Sequence, residues 1–141
     1  MGVGAIAVAK ISSYQDLEVW RTAMDLAASV YRLTRQMPRH VEYRLSAQLI
    51  RATASVPANI AEGFMRGTRK DYANFVSIAR GSLAETETFL LLVRRLDLAA
   101  PSAVEVALGQ AAQVGRMLTK LRSRLAQSPL PQNPTPRTQN P

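Results

Sequence analysis

Apolar residues return at three- and four-residue steps along most of the chain, in four blocks separated by proline, glycine and short polar breaks. That spacing lays one face of an α-helix against a core. The first block carries Leu17, Trp20, Met24, Ala27, Tyr31 and Thr34. Ser13, with Asp16 three residues on, is placed to cap its start, and Pro38 to end it. The second carries Leu45, Leu49, Ala52, Val56 and Ile60, with Gly63 and Gly67 bracketing its end. Pro57 lies inside this block, lacks an N–H and crowds the carbonyl of Thr53. The helix either breaks there or continues with a kink, and the stripe's unbroken phase favours continuity.

Thr68 opens the third block, with Asp71 three residues on, and Tyr72, Phe75, Ile78 or Ala79, Ser82, Thr86, Phe89 and Val93 follow in phase. The fourth, opened by Pro101, carries Val104, Leu108, Ala111, Val114, Leu118, Leu121 and Leu125. The pattern predicts helices over residues 13–37, 41–65, 69–97 and 102–126, joined by short connections. Short connections between long helices make antiparallel neighbours, so the fold class is all-α, an up-and-down four-helix bundle. Its domain would span 13–127, between a flexible segment over 1–12 and a tail over 128–141. Pro, Gln, Asn and Thr dominate that tail and leave it without a core pattern, so disorder is expected there.

One feature exceeds what a lone bundle needs. Phe89, Leu90, Leu91, Leu92 and Val93 are apolar on every side of a helix, and Val106 sits beside Val104 and Leu108. Such excess drives association, and long bundles packed side by side can close into a ring-like homo-oligomer. The competing arrangement folds the tail or the apolar start over Leu91.

Composition sharpens this picture. The apolar share is 47% and the aromatic share only 6%, with Ala, Leu and Val prevailing, a balance that suits helices. The net charge is +8 and the pI about 10.8. A surplus of that size on one small domain attracts polyanions, which points to RNA or DNA as partner; an acidic protein is the alternative. No cysteine is present, so disulfides and thiolate chemistry are excluded. Met1–Ala9 is apolar but lacks the basic flank of a signal peptide, and no apolar run reaches the roughly 18 residues of a membrane span. A cytoplasmic protein away from membranes is expected.

No catalytic set emerges. His40, the single histidine, forms His40-Val41-Glu42, half of a zinc deaminase motif whose two cysteines are missing, and it sits in an interhelical turn. Residues Gly63 to Lys70 carry glycines and cations but not the spacing of a nucleotide loop. Glu85 and Glu87 point to different sides of a helix, and the Glu-x-x-His ligands of metal-bearing bundles are absent. The expectation is a non-enzymatic protein with no cofactor and no metal.

Two sets of polar residues remain. Arg66, Arg69 and Lys70 cluster at the third helix's start, where free N–H groups favour anions. Arg116, Lys120 and Arg124 recur every four residues on the fourth helix, with Arg122 beside them. These seven are candidate nucleic-acid contacts, or else a solvated face. The second set is Arg51, Asn59 and Glu62 on the second helix, with Arg80, Ser82 and Glu85 on the third. It reads as a solvated face or as a partly buried network converging between the two helices, each charge with a partner.

The same residues carry a resemblance. The stretch Gln48 to Gly63, QLIRATASVPANIAEG, and the stretch Ser77 to Glu87, SIARGSLAETE, resemble the signature segments of the bacterial four helix bundle protein family. Leu17-Glu18-Val19-Trp20, Val30-Tyr31, Thr34 and Met37-Pro38 fit the same pattern. That family includes proteins encoded within intervening sequences of 23S ribosomal RNA genes and is similar to the accessory variability determinant of diversity-generating retroelements. The resemblance covers roughly residues 13 to 125 and implies an up-and-down bundle. For the retroelement branch it implies a basic homopentamer that binds nucleic acid and a reverse transcriptase. For the intervening-sequence branch it implies no particular activity, leaving a scaffold that binds an acidic protein as the alternative. The apolar start and the Pro-rich tail depart from the family pattern.

Overall fold

The computed structural model describes residues 10–127. The Pro-rich tail and all of the apolar start before Lys10 lie outside the described residues, as do the side chains of His40, Val41 and Glu42. Four helices make up the fold: α1 Glu18–Thr34, α2 Arg39–Phe64, α3 Arg69–Arg95 and α4 Pro101–Ala126. They stand in a square. α1 packs on α2, α2 on α3, α3 on α4 and α4 on α1, and among the described residues the backbones of neither diagonal pair approach closely. No strand occurs among the described residues, and no helix of theirs is long and apolar enough to cross a membrane.

The first helix begins later than expected. Ser13 and Asp16 do form a capping box, but around a single 3₁₀ turn, Tyr14–Asp16. The Ser13 hydroxyl accepts from the Gln15 N–H at 3.0 Å, and the Asp16 carboxylate accepts from the N–H groups of Ser12 at 2.9 Å and Ser13 at 3.1 Å. These N–H donors stabilise the carboxylate and hold the Asp16 pKa below its ordinary 3.8. Leu17 is then extended, with φ −77° and ψ 127°, and the α-helix starts at Glu18. A four-residue box satisfies a tight turn as well as a helix, so the signature was real and its element was not.

The other boundaries follow local chemistry. α2 runs unbroken through Pro57, and Pro57 itself is buried. α3 stops at Arg95, two residues before its expected end. Asp97 adopts φ 54°, Leu98 N–H donates to the Val93 carbonyl at 3.0 Å, and Asp97 N–H to that of Arg94 at 3.2 Å. These are the two closing bonds of a Schellman cap, with Asp where glycine is usual.

The core corrects the phase of two helices. α2 and α4 bury the stripes expected, with Leu49, Ala52, Val56 and Ile60 on one and Val104, Ala111, Val114 and Leu118 on the other. On α1, however, the buried positions are Val19, Ala23, Leu26, Val30 and Leu33, each one residue from the expected stripe, with Thr34 alone of that stripe buried beside them. On α3 the buried positions Ala79, Thr86 and Val93 belong to the expected stripe, whereas Ala73, Val76, Leu83 and Leu90 each lie one residue from it. One residue is about 100° on a helix, so Met24 and Tyr31 face water, at 43% and 54% exposure. Both helices carry two adjacent apolar stripes, and the bulkier one drew the assignment outward. The narrow stripe wins because alanines at 23, 52, 79, 107 and 111 are fully buried, and only small residues let four helices close this tightly.

This phase has a direct check. Leu26→Ala should destabilise the fold by about 2–5 kcal/mol, as deletion of a sealed core side chain does. Met24→Ala should change it by within about 0.5 kcal/mol. Urea unfolding measures both, and similar losses would reverse the assignment.

Candidate nucleic-acid interface

The cations expected to contact nucleic acid gather at one end of the bundle, where α3 begins and α4 ends. Thr68 makes that start: its backbone is extended and its hydroxyl accepts from the Asp71 N–H at 3.1 Å. The cap sets Arg69 and Lys70 in the first turn, both exposed. α4 arrives from the opposite direction, carrying Arg116, Lys120, Arg122 and Arg124 in its last three turns.

Three of the seven candidates are engaged in the fold itself. Arg69 donates through Nη2 to the carbonyl of Arg124 and, at 3.5 Å, to that of Gln127. The last carbonyls of a helix lack intrahelical donors, so Arg69 fastens the end of α4 to the start of α3. Arg122 donates through Nε to the Ser77 hydroxyl at 2.7 Å, a second tie between the same helices. Arg66 pairs with Glu62 at 2.8 Å and lies 4.6 Å from the Phe75 ring centroid, a cation–π contact. The other four, Lys70, Arg116, Lys120 and Arg124, are exposed, and among the described residues no hydrogen bond or ion pair holds their side chains.

A fifth cation joins them. Arg80, expected to face α2, instead lines a groove of about 620 Å³ between α3 and α4 with Arg116, Lys120 and Glu87. Leu83 and Gly115 also line it. Three cations against one carboxylate leave the groove electropositive.

The polar set between α2 and α3 does not converge into a buried network. Arg51 bonds Glu85, but their side chains are 54% and 39% exposed. Glu62 shares Arg51's face yet stands about 16 Å further along the axis, at 1.5 Å per residue, and turns to Arg66. Arg80 lies five residues from Glu85, about 140° around the helix, which carries it to the opposite flank. Asn59 binds within its own helix, donating to the Ser55 carbonyl at 2.8 Å and to its hydroxyl at 2.9 Å. What is buried between the helices is neutral. Thr53 and Thr86 are 1% and 0% exposed; their hydroxyls donate to the carbonyls of Leu49 at 2.7 Å and Ser82 at 2.8 Å, and meet at 3.4 Å. Ser55 and Ser82 share a hydrogen bond of 2.8 Å. Thr86 stands in the expected stripe of the third helix; Thr53 lies four residues after Leu49 and in phase with the stripe of α2, the signal that would have found it.

The family model of the 23S rRNA-intervening sequence proteins matches residues 15–120 of the chain. Among solved structures, a protein of unknown function from the S23 ribosomal protein family of Bacteroides thetaiotaomicron superposes with a TM-score of 0.68. The two share 23% sequence identity over 74% of this chain and 97% of that one, a likeness of fold. No curated protein matches the chain. The family match reaches Arg80, Arg116 and Lys120 and stops short of Arg122 and Arg124.

The exposed pairs set a testable expectation. Glu85 binds Arg51, and Glu105 binds Arg94 at 2.7 Å with side chains 59% and 48% exposed. Exposed ion pairs contribute about 0–1 kcal/mol. Glu85→Ala and Glu105→Ala should therefore lower the melting temperature by similarly small amounts. A much larger loss at Glu85 would restore the buried network.

Proposed function

The chain belongs to the 23S rRNA-intervening sequence protein family, and from that premise we propose that it is a non-enzymatic accessory protein that binds nucleic acid through the α3–α4 face. The observation that carries this reading is the set of cations the fold does not use. Arg80, Arg116 and Lys120 border one electropositive groove, and Lys70 and Arg124 stand at its end of the bundle. An internal partner would have quenched them; as they stand, phosphates can take their place in the solvation shell. The alternative partner is an acidic protein, which the same charges would attract. The finer role, assistance to a reverse transcriptase in a diversity-generating retroelement, is supported by the resemblance of the segments 48–63 and 77–87.

Self-association belongs to the same reading. Ile78, Leu91, Leu92, Leu96 and Val106 are 40% to 58% exposed, an apolar surface that a second copy would cover. A closed assembly, a pentamer by resemblance, would bring several basic faces into one field. Light scattering at moderate salt should give a multiple of 15.5 kDa; a single-chain mass refutes assembly.

The binding test is a salt titration on duplex DNA. Each phosphate contact contributes about 0.9 to the slope of log affinity against log salt, so Arg116→Ala with Lys120→Ala should lower the slope by roughly 1.8. Neither side chain is used inside the fold, so the melting temperature should hold. Weak binding with no salt dependence would overturn the reading in favour of a protein partner.

A further inference from the structure

A second groove lies at the other end of the bundle, where α1 ends and α2 begins. It has a volume of about 430 Å³, within the roughly 300–1,000 Å³ of small-ligand clefts. Tyr31 from α1 and Tyr43 from α2 line it, 54% and 72% exposed. Both rings stand apart from other aromatics: among the described residues the aromatic pairs are Tyr14 with Trp20 and Phe64 with Tyr72. Met37, nearly sealed at 3% exposure, and half-buried Ile50 also line it and supply an apolar base.

The charged residues lining it, among those described, are both cationic. Arg35 and Arg39 line the groove, and Arg32 and Arg44 are exposed on the same ends of the two helices. Among the described residues no carboxylate lines it and no ion pair engages these four arginines. No side chain caps the start of α2 at Pro38, so the first-turn N–H groups add a partial positive charge to the same place.

We infer that this groove is a base-stacking site for single-stranded nucleic acid, with Tyr31 and Tyr43 receiving bases and Arg35 and Arg39 receiving the phosphates between them. The chemistry selects the strand form. A single strand alternates an apolar aromatic face with an anionic phosphate, and exposed rings flanked by guanidinium groups match that alternation. In a duplex the base faces are already stacked on one another and do not reach a tyrosine. An acidic peptide would satisfy the arginines but leave both ring faces in water. The inference rests on the nucleic-acid reading above and adds a strand preference and a place to it.

The test measures affinity for a short labelled single-stranded RNA and, separately, for the duplex it forms with its complement, using the full chain. Replacing Tyr31→Ala together with Tyr43→Ala should weaken single-strand binding by roughly 5–150-fold per stacked base, while duplex binding, carried by the α3–α4 face, stays within about twofold. Tyr31→Phe with Tyr43→Phe should bind the single strand like the parent, because stacking uses the ring and not the hydroxyl. Unchanged single-strand affinity in the alanine variant, or an equal loss on the duplex, overturns the stacking site and leaves the basic face standing. A parent protein that binds neither form overturns both readings. Unchanged single-strand affinity with a fall in assembled mass makes the groove a contact between copies, which also overturns the inference.

Discussion

A methyl group at position 63 would stand 2.8 Å from the Cβ of Phe75 and 3.0 Å from the Tyr72 ring, closer than carbon atoms pack. The close approach of α2 and α3 at Gly63 is the constraint on which the rest of the molecule depends. Further along the seam, the contact is kept by Thr53, Thr86, Ser55 and Ser82, whose hydroxyls are satisfied by helix carbonyls or by each other. Fully buried alanines extend the same economy of volume around the square. Small residues let the four helices approach, and Leu26, Leu33, Leu49, Ile60, Leu90 and Leu118 fill the space left between them. Met24, Tyr31, Ile78, Leu91 and Leu92 lie outside that narrow stripe and stand on the surface, about half in water.

The cations divide along the same logic. Arg69 and Arg122 hold α3 to α4, and Arg66 holds the end of α2 against Phe75. They are parts of the bundle. Among the described residues the side chains of Arg80, Arg116, Lys120, Lys70 and Arg124 make no hydrogen bond or ion pair within it, and neither do those of Arg35 and Arg39 at the far end. Charges left over after the fold is satisfied are the ones a polyanion can use, and they lie at both ends of the bundle. A strand held at both ends would run along the molecule rather than across one point of it.

Much of the fold was legible because helix periodicity, caps and short connections all pointed the same way. Proline at 57 did not mislead, since Val56 and Ile60 stay in phase with Leu49 across it. The errors have one physical origin: adjacent positions on a helix differ by about 100°, and amphipathic pattern alone cannot choose between two neighbouring apolar stripes. Trp20, Met24 and Tyr31 outweighed Val19, Ala23 and Val30 by size, whereas the square packing selects for smallness. The candidate site suffered from the same blindness to geometry. The basic run on α4 was plain, but which arginine would meet Ser77 or a helix end depends on how α3 lies against α4, which no local pattern records. Arg80 was misplaced by ignoring the angle to Glu85, and that angle could have been read from the numbering alone.

The chain holds only three lysines, Lys10, Lys70 and Lys120. Two belong to the α3–α4 face; Lys10 precedes the turn that packs on α1 and α2. Acetylation of lysine amines, followed by mass spectrometry with and without RNA at low salt, therefore maps the interface in one experiment. If the uncommitted cations are the binding surface, RNA slows modification of Lys70 and Lys120 and leaves Lys10 unchanged, and the protection fades as salt is raised. Equal reactivity of all three lysines with RNA bound would contradict the assignment of that face.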